Sequence, residues 1–407
     1  MLAELAGRRV LLLQGPSGLF FRRLATELEA AGAETLRVTM NAGDAAMHLG
    51  RSRIAFRGQP KDWPGFIESV LRTRGIEAIV LFGDMRPMHK VARGFAEALG
   101  IPVYVIEEGY LRPDHITVER EGVNGNSRMS KDPEFYRAYG RKLASGAEKG
   151  PSAGYLRAGS VFGRAAWWST LHALAATNFF FLYPHSEHHR DLNCWRHTYY
   201  WVRGTVRKWI YGIRERGLER KIKTELAGRY FLVPLQVSND AQLLHSRFES
   251  VESFIEDVIV SFAHNAREGD CLVLKHHPFD RPYVDHCARI ESIAEREGIA
   301  GRVIALHDQH LPSLLRDARG TVVINSTVGM SSLHHGTPVI ALGEAVYDLK
   351  GLTHSGGLDS FWEDPGAVDS ELYRCLRRWM LAHNQFNGSV WRVVDPKAGA
   401  TGIRWGA

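Results

Sequence analysis

NSTVGMSSLHHGTPVIAL, Asn325 to Leu342, joins a strand end, a helix and a second strand within one short stretch. The apolar run before it, Thr321 to Ile324, has the composition of a buried strand. Asn325, Ser326, Thr327 and Gly329 are small residues that turn sharply and open a helix. Gly336-Thr-Pro338 closes that helix, and Val339 to Leu342 begins the next strand. A strand that ends in hydroxyls and feeds a helix N-terminus suits an anion, because free backbone N–H groups and the helix dipole point at one place. Ser326 and Thr327 would equally serve as plain helix caps. The stretch alone does not choose.

The preceding residues repeat the pattern. Tyr230 to Leu235 reads as a strand ending in Gln236-Val-Ser-Asn-Asp240-Ala-Gln242, and Phe254 to Ala266 as an amphipathic helix. Cys271 to Leu274 is a strand ending in Lys275-His-His-Pro-Phe-Asp280; Val303 to Leu306 is another, with a helix over Leu311 to Arg316. The N-terminal third alternates likewise. Strands are expected at Arg9–Leu13, Thr35–Met40, Ile76–Phe82 and Pro102–Ile106, with helices at Leu19–Ala31 and Met88–Leu99. Short apolar runs joined by helices of ten or more residues indicate doubly wound parallel sheets. Their ligands bind beyond the carboxyl ends of the strands. In the N-terminal half those ends carry Gln14-Gly-Pro-Ser-Gly18, Gly83-Asp84 and Glu107-Glu-Gly-Tyr-Leu-Arg-Pro113.

The fold class is therefore α/β, with two Rossmann-type parallel-sheet domains facing a cleft, as in GT-B glycosyltransferases. The expected division is 1–227, including a mainly helical insertion from about 120 to 227, then 228–385, then a tail, 386–407, that crosses back. The insertion is aromatic and basic. Phe179-Phe-Phe-Leu-Tyr183 precedes His185, His188, His189 and His197, then Tyr199-Tyr-Trp201 and Trp209. Between Arg203 and Lys223 lie eight Lys or Arg against two Glu. Aromatic residues beside cations fit a helical surface resting on an anionic membrane. Plain helical packing is the next reading, and nucleic acid is not expected as a partner. The histidines lack an H-E-x-x-H pattern or a carboxylate set, so they are not read as metal ligands.

With 407 residues, 44% of them hydrophobic, the chain has material for about two cores. A formal charge of +6 points to an anionic partner without naming it. Cys194, Cys271, Cys287 and Cys375 are scattered without C-x-x-C spacing, against a zinc site or a disulfide framework and in keeping with a reducing compartment. The apolar run Val10 to Leu13 is too short for a signal-peptide core, and no run approaches the ~20 residues of a membrane span. The expected location is cytoplasmic.

QGPSG near the start, EEGYLRPDHITVE, PLQVSNDAQ, KHHP and NSTVG…HHGTPVI occur in this order. Together they resemble the Kps-type capsule polysaccharide synthesis and export proteins, in particular the shorter KpsS-like branch with a single pair of domains. The resemblance covers most of residues 8 to 345 and is weakest across the insertion. It implies a β-linked 3-deoxy-D-manno-octulosonic acid (Kdo) transferase that uses CMP-Kdo and a phosphatidylglycerol or lyso-phosphatidylglycerol acceptor. The enzyme would lie on the inner face of the inner membrane, alongside other capsule synthesis and export proteins.

The residues accommodate that chemistry. CMP leaves as a monophosphate, so a clamp of hydrogen bonds and cations suffices; no D-x-D motif is present, and neither metal nor cofactor is expected. His277-Pro278 resembles the His-Pro motif of sialyltransferase-like enzymes, whose histidine holds the CMP phosphate. Lys275 and His276 would add positive potential there, and Asn325, Ser326 and Thr327 would complete the donor site. In the family it resembles, an aspartate placed like Asp240 is proposed as the nucleophile of a double displacement, though here it could also merely cap the helix that follows. Retention of the β configuration requires two inversions or a front-face route. Glu107 or Glu108 would be the general base towards the acceptor, only one of two adjacent residues on an extended segment facing the reaction. Arg112 suits the Kdo carboxylate. Gln14, Gly15, Ser17 and Gly18 would line the acceptor side. Two other readings remain: a glycerophosphate or polyol-phosphate transferase on the same frame, and a non-catalytic scaffold for capsule export.

Overall fold

The apolar runs become strands because both of their faces are covered. A computed structural model describes residues 1–148, 150, 154–186, 193–238 and 240–405, apart from the side chain of His197. The described residues form twelve strands: β1 (Arg9–Leu13), β2 (Glu34–Thr39), β3 (Arg53–Ala55), β4 (Ala78–Phe82), β5 (Val103–Glu108), β6 (His115–Arg120), β7 (Tyr230–Pro234), β8 (Cys271–Lys275), β9 (Val303–Leu306), β10 (Gly320–Val323), β11 (Val339–Ala341) and β12 (Gln385–Asn387). They form a seven-stranded sheet, β12-β6-β5-β4-β1-β2-β3, and a five-stranded sheet, β11-β10-β7-β8-β9. The smaller sheet is wholly parallel. The larger is parallel from β3 to β5, after which β6 and β12 run antiparallel at its edge. Fully buried runs such as Val10–Leu13 and Phe231–Val233 match the near-continuous apolar composition of parallel strands covered by helices on both sides.

The chain divides into two units. The first comprises Met1–Arg128, Gly150–Thr198 and Met380–Ala407; the second comprises Met129–Lys149 and Tyr199–Trp379. This differs from a division by sequence order. Residues 129–149 and 199–227 group with the second sheet, and 380–385 with the first. The helix Pro133–Ala144 accounts for part of this, because Phe135 and Tyr136 pack edge-on against Trp379 and Arg137 pairs with Asp369. The expected return of the C-terminal tail takes the form of β12, paired with β6, followed by Thr401 and Trp405, which donate to the Glu27 carboxylate.

In the first unit, the helix Phe20–Ala30 buries Phe20, Phe21, Leu24, Ala25 and Leu28 against the sheet. In the second, Val251–Asn265 begins at a capping box, with Ser253 N donating to Ser250 Oγ at 3.2 Å. The insertion is helical at Pro133–Ala144, Phe162–Asn178, Cys194–Arg214 and Leu218–Glu225. Among the described residues, no helix is long and apolar enough to cross a membrane.

Candidate active site

Both sheets share one plan. In each, strand order grows outward in two directions from a central strand, β1 or β7, so the carboxyl-end loops of that strand and one neighbour diverge. Ligands of doubly wound sheets bind at this point. In the second unit the diverging loops follow β7 and β10; the first carries Gln236, Val237, Ser238 and Asp240, the second Asn325–Thr327.

Side-chain hydrogen bonds stitch these two loops together. Buried Gln236 donates through Nε2 to Asn325 Oδ1 (3.0 Å) and to Asp240 Oδ2 (3.3 Å), and its Oε1 accepts from Asn325 N (3.3 Å). Asn325 Nδ2 donates to Gln242 O at 2.8 Å. Asp240 is half-buried, and its Oδ1 accepts from Gln242 N at 2.9 Å, capping the 3₁₀ turn Ala241–His245. The capping role is therefore real. It also fixes the plane of a carboxylate that keeps further lone pairs for chemistry.

Ser326 Oγ accepts from Val328 N at 3.2 Å, while Thr327 is the N-cap without a side-chain capping bond. The helix they open, Val328–His334, has only seven residues, so backbone N–H groups contribute more here than a macrodipole does. Behind the turn, buried Tyr347 donates to Ser326 O. A Cβ on Gly329 would lie 2.1 Å from the Tyr347 hydroxyl oxygen, so close packing demands this glycine. Ser332 is structural, bonded to Thr321 Oγ1 at 2.8 Å.

The loop after β8 divides its residues between two environments. His277 is half-buried, accepting at Nδ1 from Phe279 N (3.2 Å), and Pro278 is exposed. Buried Asp280 accepts from Ser238 N and Oγ, both at 2.8 Å, tying this loop to the one after β7. Burial pushes the Asp280 carboxyl up. Lys275 and His276, expected beside the donor, are engaged elsewhere. Lys275 is buried with Nζ donating to His307 O at 3.0 Å, and burial pushes its ammonium down. His276 is buried against His307 and Cys287. Gln236 and Asp280, given no role by the sequence, are the struts of this site; both lie inside motifs already conspicuous for their polar residues.

In the first unit the diverging loops follow β1 and β4. Gln14 is buried, and its carbonyl accepts from Arg86 Nη1 at 2.8 Å. A Cβ on Gly15 would lie 2.6 Å from the Phe21 ring, and one on Gly18 (φ 127°) 3.1 Å from Trp168. These glycines of the expected acceptor-side loop therefore pack closely against side chains of their own unit. Ser17 between them is half-buried.

Glu107 and Glu108 do not follow β5; they are its last residues, opposite Thr117 and Ile116 of β6. The pleat sends them apart. Glu107 accepts from Asn124 Nδ2, and Glu108 accepts from Trp391 Nε1 at 2.8 Å. Arg112 Nη1 pairs with Glu108 Oε2 at 3.2 Å and its Nε donates to Gly109 O at 3.3 Å, so a ligand carboxylate would compete with Glu108 for the guanidinium. Nearby, Asp84 is fully buried, accepting from Val123 N and Arg93 Nη1, both at 3.2 Å. Burial pushes Glu119 up to about 6, against hydrogen bonds from Ser127, Tyr110 and Asn384.

The insertion exposes its aromatics. In the first unit Phe180 and Phe181 are 66% and 62% exposed. In the second, Tyr199, Val202, Val206, Trp209 and Ile213 recur every three or four residues along one helix, and all are exposed. Of the insertion histidines, His185 is exposed; His188, His189 and the His197 side chain lie outside the described residues.

The chain belongs to the family of capsule polysaccharide biosynthesis proteins, whose model matches residues 77–391, a span that holds the Glu107–Arg112 hairpin and the whole smaller sheet. Within that class, the capsule polysaccharide export protein KpsS of Escherichia coli is 37% identical over 386 residues, covering 94% of this chain and 97% of the relative. The capsule polysaccharide modification protein LipB of Neisseria meningitidis serogroup A is 35% identical over 393 residues, covering 96% and 93%. Among solved structures, the KpsC β-Kdo 2,7 transferase of Thermosulfurimonas dismutans aligns with 94% of this chain and 92% of its own at 12% identity and a TM-score of 0.44.

Proposed function

We propose that this capsule biosynthesis protein is a retaining β-Kdo glycosyltransferase, moving Kdo from CMP-Kdo to a phosphatidylglycerol-type lipid and so starting the linker of the capsular polysaccharide. The observation that carries the reading is the Gln236 bridge, which holds the Asp240 carboxylate beside the Asn325–Thr327 turn. A nucleophile and an anion-binding turn, fixed to each other at the point where the loops diverge, are what transfer from a nucleoside monophosphate sugar requires.

In this reading Ser326, Thr327 and His277 bind the CMP phosphate through N–H and O–H donors, stabilising the charge that grows as CMP leaves. An Asp240 oxygen attacks the anomeric carbon of Kdo, the bond from that carbon to the phosphate oxygen breaks, and CMP departs. The acceptor hydroxyl, deprotonated by Glu107 or Glu108, then attacks the same carbon and releases Asp240. Two inversions leave the β configuration intact. A monophosphate leaving group places little charge on the site, so the transfer itself proceeds without a metal.

Attachment to the inner face of the inner membrane follows from the same reading, through the exposed aromatics and the basic residues flanking them. Purified protein incubated with freshly generated CMP-Kdo and a fluorescent phosphatidylglycerol is expected to yield a lipid heavier by one Kdo, and Asp240→Ala and His277→Ala to abolish it. Addition only to a lipid already bearing Kdo would identify an extending enzyme. Transfer from CDP-glycerol would identify a glycerophosphate transferase, and no transfer by folded protein would favour an export scaffold.

A further inference from the structure

Just beyond the carboxyl ends of β8 and β9, four side chains of the second unit converge: His276, Asp285, Cys287 and His307. Each offers one ligand atom, and the four atoms all lie within 4.8 Å of one another. The sheet brings the histidines together. Lys275 and Leu306 are partners in the β8–β9 ladder, so the next residues leave neighbouring strands side by side, with ring centroids 4.3 Å apart. Asp285 and Cys287 come from the start of the helix Cys287–Arg296, where Cys287 N donates to Asp285 Oδ1 at 3.0 Å.

The separations carry the chemistry. Cys287 Sγ lies 3.9 Å from His276 Nε2 and 3.8 Å from His307 Nε2, and His307 Nε2 lies 4.0 Å from Asp285 Oδ1. Ligand bonds of about 2.0–2.3 Å at tetrahedral angles place donor atoms roughly 3.3–3.6 Å apart. The three contacts above exceed that spacing by roughly 0.2–0.7 Å and the remaining pairs by no more than about 1.5 Å, so side-chain rotations suffice to close the four atoms around a single cation.

The outer atoms are already tied down. His307 Nδ1 donates to Glu215 Oε1 at 2.6 Å, which turns the Nε2 lone pair towards Cys287. Glu215 is buried and also accepts from His307 N (3.0 Å) and Gln309 Nε2 (3.1 Å). The Tyr211 hydroxyl donates to Asp285 Oδ2, leaving Oδ1 for the cluster, while its ring stacks on His307 at 3.5 Å. A carboxylate behind the histidine and a hydroxyl behind the aspartate form the kind of outer shell that orients metal ligands.

The geometry points to a structural zinc site formed by His276, Asp285, Cys287 and His307. One thiolate and two imidazoles favour zinc over magnesium or calcium, which prefer oxygen donors. Four protein ligands close the coordination sphere, the arrangement of a structural rather than a catalytic ion. The ion would clamp the ends of β8 and β9 to the helix Cys287–Arg296 and, through Glu215 and Tyr211, to the C-terminal part of the helix Cys194–Arg214 and the turn after it. It would also brace His277, the residue after one of its ligands. The site is independent of the donor or acceptor used, and its test reads metal rather than transfer.

Full-length protein without an affinity tag is expected to carry about one zinc per chain by elemental mass spectrometry. Chelator-stripped protein should melt at a lower temperature and recover on adding zinc. Loaded with cobalt(II) instead, it should show the intense visible bands of a tetrahedral ion and a near-ultraviolet thiolate-to-cobalt charge-transfer band, the latter lost in Cys287→Ser. Glu215→Gln keeps all four ligands and should weaken zinc about 10–100-fold against a competing chelator. If Cys287→Ser does not fold, this competition and the wild-type charge-transfer band decide the matter. No stoichiometric metal, no charge-transfer band in folded wild-type protein, or an unchanged cobalt spectrum in Cys287→Ser would overturn the assignment.

Discussion

At Asp240 two roles separate on substitution. Asparagine caps a helix about as well as aspartate, and its side-chain oxygen can keep the bond from Gln242 N. The asparagine then turns its Nδ2 towards the Gln236 Nε2 donor and loses that bond, so Asp240→Asn should cost only about 0.5–1.5 kcal/mol in urea unfolding. As the proposed nucleophile, the same variant should lose roughly 10³-fold or more in kcat with little change in donor KM. Equal losses in stability and activity would reduce Asp240 to a cap. Gly329 is the complementary case, a residue with no chemistry whose lack of a side chain is indispensable. In Gly329→Ala the new methyl would meet Tyr347 at 2.1 Å, and Tyr347 is too buried to step aside. We expect a loss of about 1–3 kcal/mol, larger than the ~1 kcal/mol for Tyr347→Phe, which removes only the hydrogen bond to Ser326 O. Wild-type stability in Gly329→Ala, measured by the urea midpoint, would contradict that packing.

Among the described elements, the helix Cys194–Arg214 carries apolar residues that its own fold leaves uncovered. Its exposed row, Tyr199, Val202, Val206, Trp209 and Ile213, costs solubility and serves no described core. Under the proposed membrane attachment, Arg203, Lys208 and Arg214 on the same helix would supply the complement to an anionic bilayer. Each large apolar side chain withdrawn from water contributes about 1.5 kcal/mol or more, and each cation near the surface about 1 kcal/mol. Cosedimentation should therefore show binding to phosphatidylglycerol vesicles that salt reverses, with little binding to phosphatidylcholine alone. Trp209→Ser should weaken it roughly tenfold or more, that apolar contribution converted to an equilibrium constant. Salt-insensitive binding to neutral vesicles would point to a purely apolar contact, and concentration-dependent dimers lost in Trp209→Ser to a second copy of the helix.

At the scale of the molecule, what the sequence reveals depends on how local its cause is. Strands Arg9–Leu13 and Val303–Leu306 were legible to the residue: the first because burial on both faces writes itself into the composition, the second, at a sheet edge and only half-buried, because its short apolar run stands out between polar loops. Arg53–Ala55 and Gln385–Asn387 were not, since three residues at a sheet edge become strand only through a distant partner. The loops after β7 and β10 were readable as motifs, but their Gln236 link was not, nor was the convergence of His276 with His307, which depends on which strands lie side by side. Burial that recruits residues from distant segments also governs the response to acid. His48 and His89 are fully buried in the first unit, and burial pushes both down to about 3, helped by the Arg37 cation at His48 and Arg86 at His89. In the unfolded chain they take up protons near pH 6.5, so between 6.5 and 3 the unfolded state binds more protons and stability falls with pH. Two such groups contribute about 2.7 kcal/mol per pH unit. Glu119 acts oppositely: burial raises it to about 6, so from 6 down to its unfolded value of 4.5 the folded state gains a proton and recovers about 1.4 kcal/mol per unit. The histidines win, and their effect is steepest below pH 4.5, where Glu119 no longer opposes them. Among the described residues neither ring nitrogen of His48 has a hydrogen-bond partner, so His48→Leu removes the proton sink without breaking a bond seen there. Hydrogen exchange of the β1 and β4 amides, followed from pH 7 to pH 4, should show a slope shallower in His48→Leu by about 1.4 kcal/mol per unit below 6.5; parallel slopes for the two proteins would mean that His48 accepts a proton in place.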